Sequence, residues 1–151
     1  MRRIMKMATL FSTLTICAAC GAGWMMTKDY AEDKECLALN VYHEARGEPL
    51  EGQYAVAHVT MNRVADKRWA DNICDVVYQP WQFSWTHTIS NPKPKDRRAW
   101  DIANEVAKNV LDGTVADNTS GSDHYHADWV NPDWASDYEK TVTIGVHTFY
   151  K

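Results

Sequence analysis

The residue best placed to do chemistry is Glu44, which lies between two apolar helical segments. Before it, apolar residues recur at spacings of three and four, a pattern typical of a helix ending near Gly47, and Pro49 suits the first turn of the next helix. Burying a charge costs free energy unless the charge is paired or neutralised, so a carboxylate here indicates a function. The second helix is apolar around most of its circumference, through Tyr54, Ala55, Val56, Val59, Met61 and Val64.

Glu44 has the chemistry that cleavage of a glycosidic bond requires. That reaction needs a carboxylic acid whose pKa is raised enough for it to protonate the leaving oxygen near neutral pH. The alternative interpretation of Glu44 is a carboxylate at a helix end, paired with an arginine. Glu48 follows four residues later, but a glycine and a proline interrupt the helix there. We therefore interpret Glu48 as structural, in a pair with Arg46 or Arg63.

Aromatic side chains supply a second group of candidates. Six tryptophans follow residue 26, and Trp100 is assigned to the core because it lies within a helical pattern. The segment 79–86 is too aromatic for a solvent loop and is interrupted by Pro80, so we expect it to line a cleft. Flat rings with a polar edge suit stacking on sugars, although a protein interface would have the same composition. The four tryptophans in irregular segments are Trp81, Trp85, Trp129 and Trp134.

Histidines offer a competing chemistry. His124 and His126 are two residues apart and would point the same way on a strand, so with His147 they form a candidate zinc site. Such a site would suit a zinc-dependent hydrolase. The alternative is that these histidines form hydrogen bonds within a polar cleft.

The first 26 residues predict an export signal. Arg2, Arg3 and Lys6 precede an uncharged run that extends to Met26, in the basic-then-apolar order of a signal sequence. Small residues before Cys20 suit lipoprotein processing with Cys20 as the lipidated residue; the rival interpretation is an uncleaved signal anchor. We therefore expect an exported, periplasmic protein that is anchored to the membrane in one of these two ways.

The charge of the remaining chain excludes one class of partner. Removing the three positive charges of the leader changes the formal net charge from -4 to -7. An acidic domain is a poor general binder of nucleic acid, so no nucleic-acid partner is expected.

The rest of the chain predicts a single domain. Residues 27–33 form a short tether, and residues 34–151 form the domain. Asp96 caps a third helix that Gly113 stops, and an alternating pattern from residue 141 to 147 indicates a half-buried strand. The fold class is therefore α+β and mainly helical, with a small β element. Cys36 and Cys74 form an even pair in an exported chain, which favours a disulfide over a metal site.

With these residues in place, residues 34–151 resemble the cell wall hydrolase family typified by the spore-cortex-lytic enzymes. The resemblance implies a lysozyme-like, lytic-transglycosylase-like catalytic domain that acts on the glycan strands of peptidoglycan. It rests on several motifs in order: Asn40-Val41-Tyr42-His43-Glu44-Ala45-Arg46-Gly47-Glu48, Gly52-Gln53-Tyr54-Ala55-Val56-Ala57, Asn62-Arg63-Val64, Ile73-Cys74-Asp75-Val76-Val77-Tyr78, Gln82-Phe83-Ser84-Trp85, His124-Tyr125-His126 and His147-Thr148-Phe149-Tyr150.

The resemblance also implies a mechanism. The essential glutamate of the family falls on Glu44, which acts as acid and then as base: it protonates the leaving oxygen, then removes the proton of the muramic acid 6-hydroxyl, closing a 1,6-anhydro ring. No second carboxylate, cofactor or metal is required. One alternative is a hydrolytic muramidase, and another is a zinc-dependent peptidoglycan amidase or endopeptidase that uses His124, His126 and His147. A third is a non-catalytic wall-binding lipoprotein. The residues implied to contact the sugar are Gln82, Phe83, Trp85, Tyr125, His126 and Tyr150.

Overall fold

The computed structural model describes residues 20–151, with side chains from residue 29 onward. The side chain of Cys20 and nearly all of the predicted export signal therefore lie outside the described residues. Among the helices that are described, none is long and apolar enough to cross a membrane.

Over residues 20–151, five α-helices, one 3-10 helix and a three-stranded sheet confirm a mainly helical α+β class. The sheet is antiparallel throughout, and β3 lies between the other two strands in the order β1-β3-β2. The elements are α1 (Cys20–Ala45), α2 (Leu50–Ala65), α3 (Ile73–Tyr78), α4 (Trp85–Thr88), α5 (Arg97–Leu111), β1 (His124–Ala127), a 3-10 helix (Asp133–Asp137), β2 (Lys140–Ile144) and β3 (His147–Tyr150).

The junction between α1 and α2 is the tight turn that the sequence predicts. The Glu48 N–H donates to the carbonyl of Ala45 over 2.9 Å, which closes the turn after α1. Pro49 is the N-cap residue of α2 and so precedes the first turn that we expected it to occupy. Its fixed φ of -53° suits the entry to a helix. The junction therefore holds Glu44, one residue before the end of α1, close to the start of α2.

The core lies where α1, α2, α3 and α5 meet. Leu37 and Val41 of α1, Val106 of α5 and Phe83 are almost fully buried there. The predicted capping of α5 is confirmed, because the Asp96 carboxylate accepts a hydrogen bond of 3.0 Å from the Ala99 N–H. The predicted disulfide is confirmed as well: Cys36 and Cys74 are bonded and tie α1 to α3, although they are 38 positions apart in sequence.

A buried polar link fixes the helices next to Glu44. The side-chain amide of Asn40 donates to Thr60 Oγ1 over 3.1 Å, and its carbonyl oxygen accepts 3.0 Å from the indole N–H of Trp85. Buried polar groups that are satisfied in this way hold one arrangement of the core. The link therefore sets α1, α2 and α4 relative to one another.

Two features differ from the sequence-based expectation. Residues 27–33, predicted as a tether, continue α1, and the Tyr30 hydroxyl donates 2.7 Å to Asp112 after α5. The single strand predicted over residues 141–147 is instead a hairpin, in which Ile144 pairs with His147. Gly145 has a φ of +60°, a conformation that turns the chain and that glycine adopts without steric cost. The alternating pattern did not reveal this turn, because the alternation continues through the turn residues Gly145 and Val146.

Candidate active site

A cleft of about 810 Å³ opens at the junction of α1 with the sheet. One wall is formed by the end of α1 and by the segment from residue 81 to 89, and the other by β1 and the loop after it. Two of its lining residues carry carboxylates, Glu44 and Glu48. The residues that line the cleft include His43, Glu44, Arg46, Glu48, Arg63, Trp81, Gln82, Trp85, Ile89, Tyr125, His126, Trp129, Trp134 and His147.

Glu44 is the carboxylate whose surroundings change its acidity. Burial raises the pKa of Glu44 above the ordinary value of 4.5, while a hydrogen bond from Tyr125 and the positive charge of Arg63 act in the opposite direction. The Tyr125 hydroxyl donates to Glu44 Oε2 over 2.9 Å. Burial and the nearby carboxylate raise the pKa of Tyr125 well above 10.0, so Tyr125 remains a donor at neutral pH. A carboxyl group in this setting can both give and take a proton.

Arg63 is the buried cation behind Glu44. Its guanidinium lies 4.4 Å from the centre of the Trp69 ring and 5.0 Å from that of Phe83, and its Nε donates to the Asp123 carbonyl over 2.8 Å. Within the described part of the chain its Nη1 has no hydrogen-bond partner, although it is buried. The stacked rings therefore fix a positive charge that stabilises the ionised form of Glu44.

Glu48 has a structural role, but its partner is not the one we predicted. Its Oε2 accepts a hydrogen bond of 2.9 Å from the Val146 N–H in the β2–β3 turn. Over residues 29–151 it forms no ion pair with Arg46 or Arg63. The hydrogen bond ties the α1–α2 junction to the hairpin, so Glu48 lines the cleft with one oxygen already bonded.

The four tryptophans in irregular segments all line the cleft. Trp81 and Trp129 have 82% and 74% of their surface exposed, which leaves both rings free to contact a ligand. Trp81 has a φ of +69°, a conformation that costs free energy for a residue with a side chain and often marks a functional position. Trp85 is buried instead, and its ring stacks on His43 with the centroids 4.6 Å apart.

Two residues predicted to contact the sugar, Phe83 and Tyr150, are not among those that line the cleft. Phe83 has 2% of its surface exposed and packs in the core beneath Arg63. Tyr150 is also buried; its hydroxyl donates 2.9 Å to His126 Nε2, whose Nδ1–H donates to the Ala127 carbonyl. Tyr150 therefore orients His126. Gln82, Trp85, Tyr125 and His126 do line the cleft.

The candidate three-histidine zinc site does not form. In the sheet Ala127 lies opposite His147, and Tyr125 lies opposite Phe149. Residues directly opposite each other share a face of the sheet, and successive residues of one strand point to opposite faces. His147 is therefore on the Tyr125 face, whereas His124 and His126 are on the other. Among the residues that the structure describes, no group of three or more His, Cys, Asp or Glu side chains is placed to hold a metal ion.

Arg63 and His147 are among the cleft residues that were not assigned to it from the sequence. A lone cation within the apolar pattern of α2 was the available signal for Arg63. His147 was considered only as a metal ligand. Burial lowers the pKa of His147 from 6.5, although Glu48 and Asp128 counteract the effect, and its Nδ1 is buried without a partner in the described chain.

Comparison with known proteins adds a family to this geometry. A family model described as Cell Wall Hydrolase matches residues 47–150, beginning three residues after Glu44. The spore cortex-lytic enzyme of Oceanobacillus iheyensis is 34% identical over 125 residues, which cover 79% of this chain and 41% of that protein. The spore cortex-lytic enzyme of Bacillus subtilis is 29% identical over 124 residues, which cover 78% of this chain and 37% of that protein. The chain therefore spans less than half the length of these curated relatives.

Two solved structures share the fold. The catalytic domain of the germination-specific lytic transglycosylase SleB from Bacillus anthracis matches with a TM-score of 0.66 and 28% identity, over 79% of this chain and 93% of that one. The catalytic domain of the Bacillus cereus SleB protein matches with a TM-score of 0.67 and 27% identity, over 80% of this chain and 91% of that one. The predicted lysozyme-like fold is thereby confirmed.

Proposed function

Because this chain belongs to the cell wall hydrolase family, we propose that it cleaves the glycan strands of peptidoglycan at the β-1,4 bond between N-acetylmuramic acid and N-acetylglucosamine. Glu44 is the acid and then the base of a lytic transglycosylase reaction. The observation that carries this proposal is the position of Glu44, in the cleft, with its pKa raised by burial and its Oε2 bonded to Tyr125. The Bacillus anthracis neighbour, a germination-specific lytic transglycosylase, has an activity of the same class.

The reaction needs only this chain and the glycan. Glu44 gives its proton to the glycosidic oxygen, and the bond between that oxygen and C1 of the muramic acid breaks. The charge that develops at C1 is oxocarbenium-like. The Glu44 carboxylate then takes the proton of the 6-hydroxyl, whose oxygen bonds to C1. The ring closes as a 1,6-anhydro product, and Glu44 is protonated again.

The surroundings of Glu44 suit both steps. Burial favours the protonated form that the first step consumes, and Tyr125 and Arg63 favour the carboxylate that it produces. Glu48 is the other cleft carboxylate, and its hydrogen bond from the Val146 N–H engages one of its two oxygens in holding the β2–β3 turn. A mechanism with one carboxylate therefore fits the cleft better than one with two.

Exposed aromatic rings supply the means of holding the sugar. Trp81 and Trp129 lie on the two walls of the cleft and expose most of their surface. Aromatic faces stack on the apolar faces of sugar rings and add to the free energy of binding through buried area. The polar groups of Gln82 and His126 line the same cleft.

The test is mass spectrometry of the fragments that the purified protein releases from sacculi, with Glu44→Gln in parallel. We expect fragments with anhydro-muramic ends from the unmutated protein and none from the variant. Fragments with reducing muramic ends would show that water, and not the 6-hydroxyl, attacks C1. Released peptides with intact glycan would refute the proposal, and binding to sacculi without any released fragment would indicate a wall-binding protein.

The same proposal includes export and anchoring. We expect the protein to act in the periplasm, held to the membrane through lipidated Cys20, with a signal anchor as the alternative. The basic start and the uncharged run of the leader support this. Growth with radiolabelled palmitate should label the protein, and Cys20→Ser should abolish the label. An unlabelled protein that remains in the membrane fraction would favour the signal anchor.

A further inference from the structure

A second cavity, of about 290 Å³, lies beside the cleft and shares part of its wall. His43, Arg46 and Ile89 line both cavities. Because His43 immediately precedes Glu44 in α1, a ligand that leaves the cleft over this wall enters the second cavity close to the candidate catalytic residue. We call this cavity the side pocket; it is lined by Tyr42, His43, Arg46, Ile89, Asn91, Lys93, Lys95 and Asp96.

The side pocket concentrates positive charge in an acidic domain. Arg46, Lys93 and Lys95 line it with a single carboxylate, that of Asp96. Over residues 29–151, no carboxylate oxygen lies within 4 Å of the charged nitrogens of these three cations. The chain without its leader has a formal net charge of -7. The positive charge of the side pocket is therefore local and available to a ligand.

Helix α1 holds the wall that carries these charges. The Tyr42 hydroxyl accepts hydrogen bonds of 3.1 Å from the backbone N–H groups of Lys95 and Asp96. The Nε2–H of His43 donates to the Pro92 carbonyl over 2.8 Å. These bonds fix the backbone of segment 92–96 against the last turns of α1, so the two lysines emerge from an ordered support.

Arg46 is held at the same end of α1, against Tyr42. Its Nη1 donates to the Tyr42 carbonyl over 3.2 Å, and its guanidinium lies 5.1 Å from the centre of the Tyr42 ring. A guanidinium placed in this way has lost part of its conformational freedom before a ligand arrives, and its remaining N–H groups can bind a carboxylate. The side pocket thus offers one ordered arginine and two lysines.

We propose that the side pocket binds the carboxylates of the peptide stem attached to the muramic acid residue in the cleft. This inference rests on the proposed function, because it places the glycan beside Glu44. The stem branches from the sugar and carries several carboxylates, so it suits a cationic cavity that adjoins the cleft. A large polyanion, such as a membrane surface, is disfavoured because the acidic remainder of the domain repels it. The protein therefore prefers glycan that carries stems.

The test compares two double variants that each remove two positive charges. Lys93→Gln with Lys95→Gln removes charge from the side pocket. Arg97→Gln with Arg98→Gln removes the same charge from the exposed first turn of α5, outside the pocket. The substrates are glycan strands with intact stems and the same strands after an amidase has removed the stems. The measurement is the preference for stems, which is kcat/KM on the strands with intact stems divided by kcat/KM on the strands without them.

The pocket variant should lower this preference about 3- to 10-fold, the effect of losing two partly exposed charge contacts. The α5 variant should keep the preference of the unmutated protein. An equal fall in both variants, or no fall in either, would overturn the proposal. If the unmutated protein cleaves neither substrate, the proposed function fails instead.

A binding measurement separates the two proposals further. In the Glu44→Gln background, which leaves the glycan intact, the pocket variant should bind stem-bearing strands more weakly than the α5 variant does. Vesicles with anionic phospholipids serve as a second probe. Loss of vesicle binding in the pocket variant, with no change in the preference for stems, would mean that the side pocket faces a membrane and would refute the stem assignment.

Discussion

The hydroxyl group of Tyr125 donates a hydrogen bond of 2.9 Å to Oε2 of Glu44, joining β1 to the end of α1 across 81 residues of sequence. Burial raises the pKa of Glu44, and this bond, together with Arg63, limits the rise. The proton affinity of Glu44 is thus set by an opposition between burial and two specific neighbours. Each neighbour can be removed separately.

Replacing Tyr125 by Phe should change the pH profile of glycan cleavage. The bond from Tyr125 lowers the pKa of Glu44, so its loss raises that pKa and moves the alkaline fall in activity to higher pH. We expect kcat/KM to fall about 10- to 100-fold, the value of a hydrogen bond to a charged group. Tyr54→Phe is the control, because the Tyr54 hydroxyl bonds Asn109 away from the cleft. An unchanged alkaline limb in Tyr125→Phe would contradict this account.

Glu44→Gln should stabilise the fold at neutral pH. The folded-state pKa is raised, so the ionised carboxylate opposes folding: this cost is absent below 4.5, grows as pH rises through the folded pKa, and is fully present above it. The variant lacks that cost, and we expect it to gain about 0.5–2 kcal/mol at pH 7, as replacements at strained functional sites commonly do. Urea unfolding at pH 7 and at pH 4 measures the gain.

The control for Glu44→Gln is Glu105→Gln, which removes the same charge from an exposed position on α5. Its free energy of unfolding should stay within about 0.5 kcal/mol of the unmutated protein at both pH values. A Glu44→Gln variant that is less stable at pH 7, or one whose gain persists unchanged at pH 4, would show that burial does not dominate the pKa of Glu44.

Gly145→Ala should destabilise the protein through Glu48. Gly145 has a φ of +60°, and a Cβ built there would clash with Glu48 Oε2. The carboxylate would have to move and would lose its bond to the Val146 N–H. We expect a loss of about 3 kcal/mol or more, from backbone strain together with the broken contact. Denaturant unfolding measures it.

Gly113→Ala provides a matched comparison for Gly145→Ala. Gly113 has a φ of +66°, and nothing lies within 4 Å of a Cβ built there. Its replacement should lower the free energy of unfolding by only about 1–2 kcal/mol, because alanine is strained in this left-handed backbone conformation. Equal losses at the two glycines would show that the contact with Glu48 contributes nothing to stability.

Reducing the Cys36–Cys74 disulfide should lower the free energy of unfolding by about 3–4 kcal/mol, because the bond closes a loop of several dozen residues in the unfolded chain. Urea unfolding with and without dithiothreitol measures the loss. The double variant Cys36→Ser with Cys74→Ser should have the lower stability under both conditions. A reductant effect that persists in the double variant would assign the change to another part of the chain.

The sequence by itself determined the helix junction around Glu44, the cap and stop of α5, the disulfide and the aromatic segments that line the cleft. Each of these follows from local spacing or from a simple pairing rule. An apolar repeat, a capping aspartate and an even pair of cysteines act through neighbours in the chain or through one covalent bond.

Only the tertiary structure decided which side chains meet Glu44. Tyr125 and His147 share a face of the sheet because β1 pairs with β3 in one register, and the same register places His124 and His126 on the other face. The α1–α2 packing decides that Phe83 is buried beneath Arg63. These relations join residues that are distant in sequence, so no local pattern encodes them; strand register and helix packing fix them when the core forms.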